Sequence, residues 1–381
     1  MAVTWPRGVR SSGVAAGVKA DGEPDLGIVA LDAAGPWAGT FTRSGAAAAP
    51  VTWSRRLAGG PLRAIVVNSG NANACTGAAG EAAVERTAGA AAAELGCRPA
   101  EVAVASTGPI GIPLPLAKVL HGLPSAVQHL SSGTGAFARA ILTTDTRPKI
   151  ARRVGDGFEV VGVAKGAAML APSMATMLAF LATDAASDAG ALQRTVTQSV
   201  RTTFDRIDVD GCQSTNDSVF LLSSGAAGTV AEDALAAAVA NVCADLAEQM
   251  VRDAEGGSRL VRVRVSGADD EEAAETLARS VASSALWRAA VHGGDPNWGR
   301  VVAALGAADP RLDLARLTLS IGPVEVFRAG EPAGSVSEAA AAMADGDVTV
   351  SCNVGDAPVE VEVLTSDLSP DYVTLNAGGM S

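Results

Sequence analysis

The sequence has few aromatic residues, few histidines and no excess of positive charge. Of its 381 residues 3% are aromatic and 3 are histidine, and 41 Asp and Glu outnumber 29 Lys and Arg, which gives a formal net charge of −12. An acidic chain repels phosphate backbones and anionic lipid, so we expect no nucleic-acid partner. An alanine-rich core with few aromatics buries less area per residue, and oligomerisation would supply further burial.

Paired cysteines and metal-ligand spacings are also missing. The five cysteines form no CxxC or CxxxC pair: Cys75, Cys97, Cys212, Cys243 and Cys352. An odd, scattered set is typical of reduced thiols in a cytoplasmic protein, and no histidine has a second ligand at metal-binding spacing. The chain also lacks a Walker A motif and a GxSxG motif. We therefore expect no metal and no cofactor, and neither a P-loop enzyme nor an ordinary serine hydrolase.

Long hydrophobic runs are scarce. The most membrane-like stretch, the uncharged run of residues 166–183, is interrupted by Pro172 and carries the hydroxyls of Ser173, Thr176 and Thr183. A membrane helix needs about 20 mostly apolar residues, so the run is better interpreted as a buried core element. The first residues, MAVTWPRGVRSS, show no apolar segment after the arginines. We therefore expect no membrane span, no secretory signal and a cytoplasmic location.

Strand and helix patterns alternate along a chain that is 48% hydrophobic and 18% charged, a composition that excludes disorder. Short apolar or alternating runs predict strands, and longer runs with helical spacing predict helices. The predicted strands include 26–31, 39–43, 63–70, 101–106 and 260–267, and the predicted helices include 81–96, 191–204 and 231–255. After residue 291 we predict mostly strands, among them 372–376, with one helix at 337–344. These blocks predict an α/β (α+β) fold built as a layered sandwich.

Hydroxyl and amide side chains are concentrated in four glycine-punctuated or polar turns. They are NSGNANACTG from Asn68, STG from Ser106, TTDT from Thr143 and STND from Ser214. Any one of them is typical of a turn that satisfies its own backbone. Four together favour a site made of hydroxyl, amide and backbone donors, which is what acyl transfer needs. A lone Lys165 after a strand is open to two interpretations, a surface charge or a functional group.

The segment KGAAMLAPSMATML, from Lys165 to Leu178, resembles the self-cleavage segment of the ornithine acetyltransferase family, the glutamate N-acetyltransferases of arginine biosynthesis. The resemblance covers nearly the whole chain. NSGNANACTG, STGPIG, TTDTRPK, STND and DPNWGR occur in the order that the family has them. It implies the family's layered sandwich, of N-terminal-nucleophile-like type.

The resemblance implies that the chain cuts itself between Ala175 and Thr176. An α piece, residues 1–175, and a β piece, residues 176–381, would then assemble as an α2β2 heterotetramer. The implied reaction is acetyl transfer from N2-acetylornithine to L-glutamate, in a ping-pong cycle through acetyl-Thr176. Whether acetyl-CoA is a second donor stays open.

The chemistry of a threonine at a new N-terminus is consistent with this. A threonine hydroxyl is a poor nucleophile unless a base stands beside it. If Thr176 attacks the carbonyl of Ala175, an N-to-O acyl shift gives an ester that water opens, and Thr176 gains a free α-amine. The ordinary pKa of such an amine is about 7.7 to 8.0, close to working pH, so the amine can accept the hydroxyl proton.

Further site residues are implied by matching positions in the family. Thr107 and Gly108 form the oxyanion hole, through a hydroxyl and a backbone N–H. The substrate-binding set contains Lys165, either Thr143 or Thr144, Thr176, Glu255, Asn376 and Ser381. The ending AGGMS lacks the aromatic, hydroxyl-rich residues of the family, which weakens the match at Ser381.

Two rival functions remain at this stage. One is an aminopeptidase or amidase of the same architecture, in which water instead of glutamate accepts the acyl group. The other is an uncleaved binding or scaffold protein. Free acetate formed regardless of glutamate would indicate the first, and a single intact polypeptide would indicate the second.

Overall fold

The computed structural model describes residues 3–169, 177–344 and 346–377. The described chain divides into two compact units. The first contains residues up to 205 together with 212–250, and the second contains 206–211 together with residues from 251 onward. The two units are described separately below.

The first unit contains two sheets and six helices within the described residues. In chain order its elements are β1 (Val9–Val14), β2 (Leu26–Gly35), β3 (Trp37–Phe41), α1 (Ala49–Arg56), β4 (Leu62–Ser69), α2 (Gly77–Leu95), β5 (Val102–Thr107), α3 (Leu116–Gln128), α4 (Gly135–Ala140), β6 (Lys149–Val154), β7 (Glu159–Lys165), β8 (Leu178–Ala186), α5 (Ala189–Thr202), β9 (Ser218–Thr229) and α6 (Glu232–Arg252). One sheet has the strand order β1-β2-β4-β5, and the other has the order β3-β9-β8-β7-β6.

The two sheets of the first unit share a core. The alternation of side chains along a strand explains why residues 26–31 of β2 are all apolar. In β2, Val29 and Leu31 join the core between the sheets, whereas Ile28 and Ala30 join a second core beneath α2 and α3. Successive side chains of a strand point to opposite faces, so a strand buried on both faces has no polar side.

Helices α5 and α6 cover the outer face of the second sheet. A Cβ added to Gly162 of β7 would lie 2.7 Å from Val242 and 2.8 Å from Leu246 of α6, so strand and helix are in close contact. The first unit is thus a helix–sheet–sheet–helix sandwich, which confirms the predicted layered α/β fold.

The two segments that are candidate membrane spans by length or composition, helix α6 and the run 166–183, belong to this unit. Helix α6 is long and apolar enough to cross a membrane by length and composition, with a mean hydropathy of 1.3. However, Leu235, Val239 and Leu246 of its apolar face are buried, as in a core helix. Of the uncharged run 166–183, residues 178–183 belong to buried strand β8. Residues 177–183 of that run are therefore buried in the core, as predicted.

The second unit is built on one six-stranded sheet. Its elements are β10 (Leu260–Gly267), α7 (Glu271–Ala282), α8 (Ala285–His292), α9 (Trp298–Ala308), β11 (Thr318–Ile321), β12 (Val324–Arg328), β13 (Glu331–Pro332), α10 (Val336–Ala342), β14 (Val348–Asn353), β15 (Ala357–Ser366) and α11 (Pro370–Ala377). The strand order is β13-β12-β11-β14-β10-β15. The sheet and its helices enclose one apolar core.

Two predictions in this unit are wrong. Residues 372–376 lie in helix α11 instead of a strand, because the Ser369 hydroxyl accepts a hydrogen bond from the Tyr372 N–H at 3.2 Å and caps the helix that starts at Pro370. Helix α9 was not predicted. Its buried residues Val301 and Leu305 are four positions apart and face the core together.

Candidate active site

The candidate site begins where two parallel strands of the first unit end. In β4 and β5, Ser69 lies opposite Thr107. The loops that follow are joined by backbone hydrogen bonds, since the N–H of Asn71 donates to the carbonyl of Thr107 at 3.0 Å and that of Ala72 donates to the carbonyl of Pro109 at 3.1 Å. Thr107 itself is buried. Thr107, the last residue of β5, therefore lies where backbone hydrogen bonds join the two loops.

Gly108 continues this loop in a conformation that only glycine adopts without strain. Its φ is +137°, and a Cβ added there would lie 2.4 Å from the nitrogen of Asn71 and 2.6 Å from the carbonyl carbon of Gly70. Both contacts are with backbone and are shorter than real Cβ contacts. The absence of a side chain at 108 thus lets the two loops come together.

If Gly108 supplies an oxyanion donor, as the family resemblance implies, its substitution by alanine is expected to lower kcat/KM by about 100-fold or more, because the loop shifts and displaces that N–H. The strained backbone would also cost about 1–3 kcal/mol of folding free energy. Steady-state kinetics and thermal unfolding measure the two effects. Gly111→Ala is the matched control, since Gly111 lies in the same loop with φ +80° but a Cβ there would meet nothing within 4 Å. Equal loss of activity in both variants would show that the close contact of Gly108 with Gly70 and Asn71 is not the cause of the loss.

A buried lysine connects this loop to the TTDT turn. Lys165, the last residue of β7, is 2% exposed. Its ammonium donates hydrogen bonds to the hydroxyl of Thr143 at 2.8 Å and to that of Thr107 at 3.3 Å. Thr144, by contrast, is exposed. Of the two threonines left open by the sequence, the structure thus brings Thr143 to the lysine.

The carboxylate of Asp145 organises this cluster. It accepts hydrogen bonds from the Lys149 ammonium at 2.6 Å, from the N–H of Gly166 at 2.7 Å and from the N–H of Thr143 at 3.2 Å, and it lies 3.8 Å from the Lys165 ammonium. Burial opposes its ionisation, but the charges of Lys165 and Lys149 and these hydrogen bonds outweigh burial and lower the pKa of Asp145 to about 2.

The cluster is buried. The side chains of Lys149 and Asp145 are fully buried, and that of Lys165 is 3% exposed. The Lys165 ammonium lies at the hydroxyls of Thr107 and Thr143. An ammonium beside hydroxyl donors is suited to a carboxylate ligand, because charge-assisted hydrogen bonds to a carboxylate are strong.

The STND turn joins the same loops from the other sheet. The side-chain amide of Asn216 donates to the carbonyls of Ala72 at 2.7 Å and Ser106 at 2.9 Å. The carboxyl group of Asp217 accepts a hydrogen bond from the N–H of Met177 at 3.0 Å. All four polar turns noted in the sequence therefore meet in this region, together with Met177, the residue that follows the expected nucleophile Thr176.

The remaining predicted site residues lie elsewhere. Glu255 and Asn376 belong to the second unit, and Ala175, Thr176 and Ser381 lie outside the described residues. Within the second unit, the segment that contains Glu255 adjoins the start of α11: the Ser369 hydroxyl donates to the carbonyl of Gly256 at 2.5 Å. The Oε1 atom of Glu255 is buried without a hydrogen-bond partner among the described residues.

Sequence reasoning missed Asp145, Lys149 and Asp217. All three lie inside the motifs TTDTRPK and STND, which were interpreted through their hydroxyl residues. A charged residue inside a hydroxyl-rich motif was the signal that could have found them. Within the described ranges, no group of three or more His, Cys, Asp or Glu side chains is placed to hold a metal ion.

The arrangement defines a class of enzyme. Hydroxyl and backbone N–H groups at one sheet edge can stabilise an oxyanion, and the buried cation next to them can bind a substrate carboxylate. An acyltransferase that acts on a carboxylate-bearing substrate needs both.

Sequence comparison identifies the family. The family model of ArgJ matches residues 10–380, so the chain belongs to the ArgJ family. The arginine biosynthesis bifunctional protein ArgJ of Thermus thermophilus is 43% identical, over 99% of both chains. The ArgJ protein of Mycolicibacterium paratuberculosis is 46% identical, over 98% of this chain and 95% of its own.

A solved structure supports the fold. One chain of the ArgJ protein of Bacillus halodurans is 35% identical with a TM-score of 0.50, and the match covers 51% of this chain and 96% of that chain. The protein is therefore an acyltransferase of arginine biosynthesis, and the prediction of a glutamate N-acetyltransferase is confirmed at the level of the family. The aminopeptidase alternative is not favoured.

Proposed function

We propose that this enzyme transfers an acetyl group from N2-acetylornithine to L-glutamate through an acetyl-Thr176 intermediate, after cutting itself between Ala175 and Thr176. The observation that carries the proposal is the cluster in which Lys165 donates to both Thr107 and Thr143 beside the Gly108 loop. Donor and acceptor share an α-carboxylate, and the Lys165 ammonium beside two threonine hydroxyls is suited to it.

The position of the expected cut within the fold supports self-cleavage into two associated pieces. Lys165 of β7 lies opposite Leu178 of β8, so the segment that contains the cut joins two neighbouring strands. β8 pairs with β7 on one side and β9 on the other. After cleavage β7 would belong to the α piece, and β8 and β9 to the β piece. Backbone hydrogen bonds of the sheet would thus hold the pieces together.

The length of a solved relative also supports two pieces. The Bacillus halodurans chain matches over 96% of its length but covers 51% of this chain, so it is about half as long. Either proposed piece, residues 1–175 or 176–381, is about half of the present sequence.

The roles of the individual groups follow from the chemistry. The α-amine of Thr176 accepts the proton of its own hydroxyl, which attacks the acetyl carbonyl. The hydroxyl of Thr107 and the N–H of Gly108 stabilise the oxyanion; loss of one such donor typically raises the barrier by about 2.7–4 kcal/mol. Lys165 and Thr143 bind the substrate carboxylate.

Glu255, Asn376 and Ser381 are the remaining substrate-binding residues that the family resemblance implies. We assign Glu255 to the ammonium group of ornithine, because its Oε1 is buried without a hydrogen-bond partner in the described chain. Asn376 and Ser381 of the C-terminal segment complete the set. A cytoplasmic α2β2 heterotetramer is the assembly that we propose.

Intact mass spectrometry tests the covalent intermediate. Incubation with N2-acetylornithine alone should add one acetyl group to the β piece and release ornithine, and glutamate should then remove that group as N-acetylglutamate. A hydrolase would instead release free acetate at a rate independent of glutamate. Acetyl-CoA in place of N2-acetylornithine tests the second donor. A β piece that never becomes acetylated during turnover would contradict the ping-pong cycle.

A further inference from the structure

The contact between Lys165 and Thr107 joins the two sheets of the first unit, and it has a direction. Thr107 ends β5 of one sheet, and Lys165 ends β7 of the other. The distance from the lysine nitrogen to the threonine oxygen is 3.3 Å, and both residues are 2% exposed. An ammonium group has hydrogens but no free electron pair, so it can only donate. The hydroxyl oxygen of Thr107 is therefore the acceptor in this hydrogen bond.

The proton of the Thr107 hydroxyl is left for a different acceptor. Within the part of the chain that the structure describes, the hydrogen bond from Lys165 is the only one that this hydroxyl makes. The neighbouring hydroxyl of Ser106, by contrast, donates its proton to the side-chain oxygen of Asn68 at 2.6 Å. Because a buried donor without an acceptor is costly, the Thr107 proton is suited to an oxygen atom of a ligand.

The ammonium makes this hydroxyl a stronger donor. Hydrogen bonds in a chain polarise one another, so a hydroxyl that accepts from a cation holds its own proton less tightly. The effect is larger where both groups are buried, since water does not screen the charge. Hydrogen bonding to the Thr143 hydroxyl at 2.8 Å and the Asp145 carboxylate 3.8 Å away hold the Lys165 ammonium in place.

We propose that Lys165, besides binding the substrate carboxylate, is a positioning residue for the oxyanion hole: its ammonium orients and strengthens the Thr107 hydroxyl as a donor. The inference rests on the proposed roles of Thr107 and Thr176. In acetylation the Thr176 oxygen bonds to the acetyl carbon, and one electron pair of the carbonyl double bond moves to the carbonyl oxygen, which accepts the hydrogen bond from Thr107. The pair returns as the carbon–nitrogen bond breaks. Ornithine leaves with the electrons of that bond and the proton that the α-amine took from the threonine hydroxyl.

Rapid mixing with saturating N2-acetylornithine, followed by acid quenching and intact mass spectrometry, measures the rate at which the β piece is acetylated. Saturation removes the contribution of Lys165 to substrate binding from this rate. One oxyanion donor is typically worth about 100- to 1,000-fold, and polarisation of that donor is worth less, so Lys165→Met should slow acetylation about 10-fold. Methionine is nearly as long as lysine and carries no charge.

The same substitution in two Thr107 variants tests whether the effect passes through the hydroxyl. In Thr107→Ser the hydroxyl remains, so Lys165→Met should again slow acetylation about 10-fold. In Thr107→Ala the hydroxyl is gone, so Lys165→Met should change the rate less than about twofold. A lysine that only binds the substrate carboxylate would instead raise the half-saturating concentration of N2-acetylornithine and leave the saturated rate unchanged in all three backgrounds.

Lys118→Met is the matched control, because Lys118 is exposed and donates to the carbonyl of Gly17 at 2.6 Å. Its β piece should be acetylated at the wild-type rate. Circular dichroism confirms folding, and Lys165→Gln, which is also neutral, replaces the methionine variant if that one does not fold. A variant that folds without cutting is produced as two chains, residues 1–175 and 176–381, so that the nucleophile is already N-terminal.

Two results would overturn the proposal: a saturated acetylation rate that Lys165→Met leaves unchanged, or an equal slowing in all three Thr107 backgrounds. A wild-type β piece that N2-acetylornithine never acetylates would instead contradict the proposed function itself.

Discussion

Replacement of Thr176 by alanine is expected to leave one uncut polypeptide of 37.9 kDa and to abolish acetyl transfer. In the proposed mechanism the variant loses the hydroxyl that attacks the Ala175 carbonyl, so the chain cannot create the α-amine proposed as the base. Loss of a nucleophile typically costs about a million-fold in kcat. Denaturing electrophoresis, N-terminal sequencing and an assay for N-acetylglutamate measure these effects. In the wild-type protein a fragment should begin Thr-Met-Leu-Ala-Phe.

Thr183→Ala is a suitable control for this experiment. Thr183 lies in β8, is fully buried and donates its hydroxyl proton to the carbonyl of Glu159 at 2.9 Å. Its replacement removes a buried threonine hydroxyl from β8, so a small loss of stability is expected, with cutting and turnover retained. An uncut Thr176→Ala protein that transfers acetyl groups at the wild-type rate would disprove the proposed nucleophile.

Replacement of Asp145 by asparagine is expected to lower the free energy of unfolding by about 3–5 kcal/mol, because it leaves the ammonium of Lys149 buried without its counter-charge. The side chains of both residues are fully buried. Activity should fall as well, since Asp145 holds the N–H groups of Thr143 and Gly166 on either side of the lysine site. Urea unfolding and steady-state kinetics measure the two losses.

The double variant Asp145→Asn with Lys149→Met separates the two effects. Methionine has no charge to bury, so the double variant should be more stable than Asp145→Asn alone, while its KM for N2-acetylornithine stays raised. Full recovery of KM would show that Asp145 does not position the substrate site. Asp356→Asn, at an exposed ion pair with Arg316, is a control that should leave the unfolding transition unchanged.

Acid titration measures the contribution of Asp145 independently of the activity. Because its pKa is lowered from 3.8 to about 2 in the folded protein, its charge contributes stability above about pH 4 that is lost as the pH falls through about 2. The shift corresponds to about 2 kcal/mol. The Asp145→Asn variant should lack this part of the acid-induced loss of stability.

Local patterns predicted most elements of the first unit because its strands and helices are long and regular. Residues 26–31 are an uninterrupted apolar run that forms the buried part of β2, and the apolar residues 64–67 form the centre of β4. The same patterns failed at residues 372–376, where a capping hydroxyl and a proline start α11. Alternation over five residues is too short to outweigh such a cap.

The sequence by itself determined the fold class, the family and the polar turns, because apolar periodicity and the motifs near Asn68, Ser106, Thr143 and Ser214 can be recognised without coordinates. Only the tertiary structure decided that Thr143, not Thr144, meets Lys165, and that the pKa of Asp145 is lowered whereas that of Asp217 is raised. The physical reason is that the charge of a buried carboxyl group depends on which residues distant in sequence surround it, and chain folding alone brings those residues together.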